Sequence, residues 1–255
     1  MEMRTESHRF SRIGKPPLRA EEDVIGDGDN EPGKWAIHES TYWDYLEDIG
    51  RVQNDKFEIL DRLKLKDEPI VIDLLSGPAA VRSIGKFLRP KPFRGLAVGF
   101  HDPRTPEKAD RDTREGVTFI AGTLNDPATW EKIDEWLKGD KADFIMTRGA
   151  GGLKFLPTNL GFTSQAIEKI WETLNRTDGT TILQIPPAKS LEVNGIPVNR
   201  WVQKLSSAGV SNRYISSYES RTDGYVPYGL LRLDRKPGVT LPSPVVLGQN
   251  FKKAV

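Results

Sequence analysis

Apolar residues along the 255-residue chain fall into blocks, and the blocks differ in period. Short continuous apolar runs recur at residues 69–75, 94–101, 117–122, 142–147 and 180–186. Runs of that length read as strands buried on both faces. Between them lie stretches whose apolar positions are three and four apart. Residues 79–88, 126–137 and 164–174 read as helices, with Trp130, Ile133, Trp136 and Leu137 on one side of the second. Buried strands alternating with helices imply a parallel sheet covered on both faces.

Two helices are predicted ahead of this alternation. Residues 40–50 open on Ser40 and Thr41, good N-cap types, and carry Trp43, Leu46 and Ile49 at helical spacing. A second amphipathic helix takes its apolar side from Val52, Phe57, Ile59, Leu60 and Leu63. Residues 1–34 are rich in charge, Gly and Pro and lack hydrophobic periodicity. They read as an extended or disordered arm, with a lid that orders over a ligand as the alternative. The last third changes character. A helix at 198–208 precedes two strands with polar alternation at 214–220 and 228–234, joined by a turn-rich link at 221–227. Such a pair forms an antiparallel hairpin that ends the sheet. Residues 237–255 read as an irregular, Pro-rich tail.

Charge narrows the partners. Lys plus Arg (37) nearly equal Asp plus Glu (36), so no global basic field draws the chain onto nucleic acid or anionic lipid. The absence of cysteine excludes disulfides, thiolate metal cages and a cysteine nucleophile. Three scattered histidines, His8, His38 and His101, do not suggest a metal site. No apolar run approaches the roughly 20 residues that span a bilayer, and the polar start is unlike a signal peptide. A soluble cytoplasmic protein is expected; the oligomeric state is left open.

The chemistry concentrates at residues 70–80, Ile-Val-Ile-Asp-Leu-Leu-Ser-Gly-Pro-Ala-Ala. A strand that runs through a small-residue turn into a helix sets backbone N–H groups and the positive helix end beside a ligand. Ser76, Gly77, Ala79 and Ala80 are small enough to allow close approach. The dinucleotide fingerprint Gly-x-Gly-x-x-Gly is met at one glycine of three, a weak match for NAD or flavin. Asp73, just before the turn, is placed to attract the cationic end of a ligand.

At these residues the chain resembles the class I S-adenosylmethionine-dependent methyltransferase superfamily, whose first motif is an apolar strand, an acid and a turn of the form Asp-Leu-Gly-x-Gly-x-Gly. Here Asp73-Leu-Leu-Ser-Gly-Pro-Ala stands in register, keeping the acid and the middle glycine, with Leu75 and Ala79 in place of the outer glycines. The resemblance extends by order of elements over residues 70–234. It implies a doubly wound Rossmann-like methyltransferase sheet, mostly parallel with a C-terminal antiparallel hairpin, and S-adenosylmethionine as cofactor. It divides the chain into the arm, a helical segment at 35–68 that caps the pocket, the α/β domain at 69–236 and the tail.

The resemblance also implies site residues. Asp73, Leu75, Ser76, Gly77 and Ala79 form the cofactor turn. The ribose acid after the second strand falls on His101, with Asp102 next to it; either Asp102 takes that role, His101 donates instead, or Asp102 simply opens a turn. Thr123, beside Leu124, occupies the place near the adenine, with Asn125 and Asp126 close by; Asp126-Pro is also a good helix start. After the fourth strand, Arg148 is expected to touch the cofactor, and Gly149, Gly151 and Lys154 to face the methyl group and acceptor. Arg148 and Lys154 suit a carboxylate or phosphate, or are solvated charges. Tyr42 is the pocket candidate of an aromatic cluster with Trp35, Trp43 and Tyr45, against a core role. Of His38, His101 and Asp102, nothing singles out a general base. A methyltransferase acting on a small molecule is expected; the alternatives are an RNA or protein methyltransferase and a non-catalytic binding or scaffold protein.

Overall fold

A computed structural model describes residues 41–99, 102, 104–124, 126–147, 160–185, 198–221 and 224–243. The elements in chain order are α1 (Tyr42–Arg51), α2 (Glu58–Lys64), β1 (Ile70–Leu74), α3 (Ala79–Leu88), β2 (Arg94–Gly99), α4 (Pro106–Arg114), β3 (Val117–Ala121), α5 (Pro127–Leu137), β4 (Phe144–Thr147), α6 (Leu160–Thr173), β5 (Thr180–Ile185), α7 (Val198–Ser207), β6 (Ser211–Arg221) and β7 (Gly224–Asp234). The strands form one sheet in the order β3-β2-β1-β4-β5-β7-β6. β1 to β5 pair in parallel, and β7 runs antiparallel between β5 and β6. This is the doubly wound, mostly parallel sheet with a terminal antiparallel hairpin that the sequence predicts.

Alternation along the strands divides the core. Ile72, Leu74, Leu96, Val98 and Ile145 face α5, α6 and α7, which supply Ile133, Ile170 and Trp201. Val71, Ala97, Phe144, Met146 and Ile182 face α1, α2 and α3, which supply Ile49, Leu60 and Ile84. β1 is buried along its whole length because both faces are covered. α3 lies close on β2: a Cβ on Gly95 would fall 2.3 Å from Val81 Cγ1.

Three local readings change. The buried side of α1 is Tyr42, Tyr45, Leu46 and Ile49, the i, i+3, i+4, i+7 stripe, while Trp43 is 42% exposed. Phe57 is the N-cap residue of α2 and stays exposed, so the helix is shorter than its apolar pattern suggests. Residue 221 and residues 224–227 of the predicted link are strand: β6 and β7 pair from Ser211↔Asp234 to Arg221↔Gly224. Among the described residues, β6 alone flanks that part of β7, where Pro227 lies, since the pairing to β5 ends at Gly229. The predicted arm, Trp35 and the tail beyond Ser243 lie outside the described residues.

Helix α4 has no counterpart in the sequence reading. Thr105 caps it, Pro106 opens it, and its Asp112 is completely buried. Arg82 of α3 grips Asp112 with two hydrogen bonds (2.7 and 2.9 Å), and Arg104 adds a third (3.2 Å). Burial alone would raise the Asp112 carboxyl; the Arg82 and Arg104 guanidiniums outweigh it and hold the group below the usual aspartate range. Charge pairing, not an apolar stripe, seats this helix.

A second buried cation ties the N-terminal helices to the sheet. Arg232 of β7 donates to both Glu58 oxygens (2.9 and 2.6 Å), to Asp234 (3.0 Å) and to the Val52 carbonyl (3.4 Å). The Arg232 hydrogen bonds are the main cause holding Glu58 down at about 2. The turn after β1 carries a different cost. Leu75 sits at φ +71°, the left-handed region, with its side chain against the core. For a residue other than glycine that backbone costs about 1–2 kcal/mol.

Because its folded pKa is depressed, Glu58 stabilises the fold above the ordinary glutamate range and loses that contribution as pH falls toward about 2. Glu58→Gln is therefore expected to lose on the order of 2 kcal/mol at neutral pH, with the gap to wild type closing in acid, as read by urea unfolding across a pH series. At the turn, Leu75→Gly exchanges strain relief for lost packing and is expected to stay within about 1 kcal/mol of wild type. Leu75→Val, β-branched at positive φ, is expected to be clearly less stable than Leu75→Gly. The reverse order in thermal unfolding would contradict a left-handed Leu75.

Candidate cofactor site

The sheet order reverses between β1 and β4, and open α/β sheets bind ligands outside the C-terminal ends of the strands at such a reversal. β1 ends at Leu74, four residues turn, and α3 begins at Ala79 on Pro78 as N-cap, with no side chain capping its first turn. Leu75 N–H and Ser76 N–H both donate to the Val98 carbonyl (2.7 and 3.1 Å), which draws the turn over the end of β2. The approach is tight: a Cβ on Gly99 would lie 3.1 Å from the Ser76 carbonyl oxygen. Gly99 is a site-shaping residue that the sequence reading missed, since nothing in a lone strand-end glycine reveals what crosses it.

Asp73 occupies the decisive position. It pairs in register with Ala97 of β2 and Met146 of β4, so apolar side chains flank it on the sheet. Its side chain is 0% exposed, and neither carboxylate oxygen has a hydrogen-bond partner among the described residues. Ser76 Oγ, also buried, is likewise unpaired. Burial pushes the Asp73 carboxyl well above the usual aspartate range, and the nearby Ser76 hydroxyl lowers it by less. Buried acids without donors are expensive, and they persist where a ligand or a proton completes them.

The remaining candidates divide. Asp73, Leu75, Ser76, Gly77 and Ala79 are brought together in the β1–α3 turn, with Ser76, Gly77 and Ala79 buried and Leu75 half-buried. Asp102 is exposed and held by Arg104, whose Nε (2.7 Å), Nη2 (2.7 Å) and backbone N–H (3.0 Å) all donate to it. Arg104 in turn bridges to Asp112 and lies over the Phe119 ring. This arginine link was legible only as the short Asp-Pro-Arg spacing. Thr123 is half-buried just past β3; Leu124 is in the core, its carbonyl accepting from Trp130 Nε1 (2.8 Å). Asp126 caps α5 by accepting from Ala128 N–H (3.0 Å).

Tyr42 is a core residue of the α1 face. It is fully buried on α1, its backbone N–H donates to Ser83 Oγ (2.8 Å), and its ring stands edge-on to Phe144. Burial raises its phenol, with Gln53 pulling slightly back. His101, Asn125, Arg148, Gly149, Gly151 and Lys154 lie outside the described residues. Among the described residues no cluster of His, Cys, Asp or Glu is arranged to hold a metal ion, and no helix is long and apolar enough to cross a membrane.

Neither a protein-family profile nor a curated protein sequence matches the chain. Among solved structures it is similar to the O-methyltransferase TomG from Streptomyces achromogenes, crystallised with S-adenosylmethionine, at 12% identity and TM-score 0.45 over 78% of this chain and 92% of that one. It is also similar to the Burkholderia thailandensis 1,6-didemethyltoxoflavin-N1-methyltransferase, at 18% identity and TM-score 0.41 over 70% and 77% of the two chains. An rRNA methylase from Streptococcus thermophilus gives 15% identity and TM-score 0.41 over 72% and 99%. Likeness at this level says nothing of ligand or acceptor, so the chemistry rests on the chain's own residues. By its strand order and hairpin, the chain has the Rossmann-like methyltransferase fold.

Proposed function

We propose that the chain is an S-adenosylmethionine-dependent methyltransferase acting on a small molecule. The observation that carries this reading is Asp73: a wholly buried carboxyl without a donor among the described residues, at the switch point of the sheet, beside an uncapped helix start. A ligand that brings a cation and an anion together fits that arrangement. Its ammonium would meet Asp73, and its carboxylate suits the N-terminal turn of α3. NAD fits less well, because a pyrophosphate gains nothing from an acid at this point.

When bound, S-adenosylmethionine supplies an activated methyl group on a sulfonium. The chain's own contribution is binding, alignment and exclusion of water. Ser76 Oγ offers a hydrogen bond beside Asp73. Asp102, held by Arg104, would border the ribose hydroxyls. Thr123 and Leu124 would border the adenine, and Arg148, Gly149, Gly151 and Lys154 the methyl group and acceptor. Near-neutral net charge favours a small acceptor over RNA. Leu75 at the first glycine position of the motif favours a second reading, a non-catalytic binding protein.

Titration calorimetry separates these readings. S-adenosylmethionine is expected to bind and NAD not, and Asp73→Asn is expected to weaken binding about ten- to a hundredfold. A raised folded pKa means that Asp73 costs stability increasingly as pH rises above the ordinary aspartate range. Free Asp73→Asn is accordingly expected to melt above wild type at neutral pH, with the difference shrinking in acid. Equal affinity in wild type and variant would remove Asp73 from the site. Binding of neither ligand at high concentration would leave only the scaffold.

A further inference from the structure

Resting on the cofactor reading above, we propose that Asp73 is a neutral acid in the free protein and is ionised by the arriving ammonium, so that ligand binding expels a proton.

Among the described residues, no charged side chain pairs with Asp73. It is sealed from solvent between Ala97 and Met146. Among the described residues of the elements packed against β1, the charged groups are engaged or remote. Arg82 of α3 is committed to Asp112, and Lys86 stands in the last turn of α3, opposite the end that meets the turn. Arg94 opens β2, at the far end of the strand, and holds Asp140. β4 carries no charged residue; Asp143, just before it, is paired to Lys66 and Asn175. On the same face, Tyr42 of α1 is an acid whose phenol burial pushes up. Ser76 Oγ is the polar side-chain atom that acts on Asp73, and a hydroxyl does not balance a buried anion.

The charge balance is simple. Neutral carboxyl plus ammonium becomes a carboxylate–ammonium ion pair, and the carboxyl proton leaves to the buffer. The site thereby prefers ligands that carry the ammonium, because a nucleoside without it leaves Asp73 protonated and gains no ion pair. Affinity for the cationic ligand rises with pH by up to about tenfold per unit until Asp73 ionises unaided, and then levels.

The test is calorimetry of the full chain with S-adenosylmethionine at about pH 6, where an α-ammonium with an ordinary pKa of about 8 is already protonated. Two buffers of unlike ionisation enthalpy are compared. The expected result is an apparent enthalpy that differs between buffers by close to one proton released per ligand. The same titration is expected to show no release with 5′-methylthioadenosine, which lacks the ammonium, nor with Asp73→Asn. Infrared difference spectra supply an independent readout: a protonated-carboxyl band in the free protein, missing from Asp73→Asn, that disappears when S-adenosylmethionine binds. Binding with identical enthalpies in both buffers, or a free protein without that band, would overturn the proton coupling alone. Absence of any binding would overturn the cofactor reading and the coupling with it.

Discussion

Asp73 is buried where water cannot reach it and where no described side chain or amide offers it a hydrogen bond. A fold does not keep such a group for stability; replacing a lone buried carboxyl with a neutral residue removes a cost. The features around it make sense as a frame for that carboxyl. Apolar neighbours on β2 and β4 exclude solvent, the turn is pulled across β2 by two amides on the Val98 carbonyl, and α3 starts without a side-chain cap. Leu75 accepts a left-handed backbone to make the reversal. The site is thus assembled at the expense of local backbone and electrostatic energy.

That expense is offset by strongly held surroundings. α3, which presents the turn, is fixed from beneath by Gly95 and from the side by the Arg82–Asp112 pair. The α1–α2 layer that closes over the same face is fastened to β7 through Arg232 and Glu58. Both pairs are shielded, so each is worth more than an exposed ion pair and costs more to break on one side only. Asp112 and Glu58 are kept ionised by guanidiniums, whereas Asp73, with none, is pushed toward its neutral form. The same chemical group thus serves structure in two places and points to a ligand in a third.

Much of this was legible along the chain. Continuous apolar runs placed β1 to β5, and Asp73 before a small-residue turn marked the candidate site. Other parts carried no one-dimensional signal. α4 has almost no apolar residue, so periodicity is silent, and its anchor is an aspartate that meets arginines from α3 and the loop before it. Gly and Pro near residues 224–227 read as a link because local turn chemistry was weighed without the cross-strand register that overrides it. Trp43 looked like core on spacing alone, whereas the stripe one position earlier, through Tyr42, is the buried one. The ribose acid was ambiguous in the sequence for a physical reason: Asp102 has a structural partner, Arg104, two residues away.

The central claim is that the β1–α3 turn holds a cationic ligand through Asp73. A crystal structure of the chain with S-adenosylmethionine tests it most directly. The account predicts the ligand across the C-terminal ends of β1 and β4, with its ammonium at hydrogen-bonding distance from Asp73 and its carboxylate toward α3. Ligand bound elsewhere, or bound there with Asp73 still enclosed by apolar side chains and touching nothing, would contradict it.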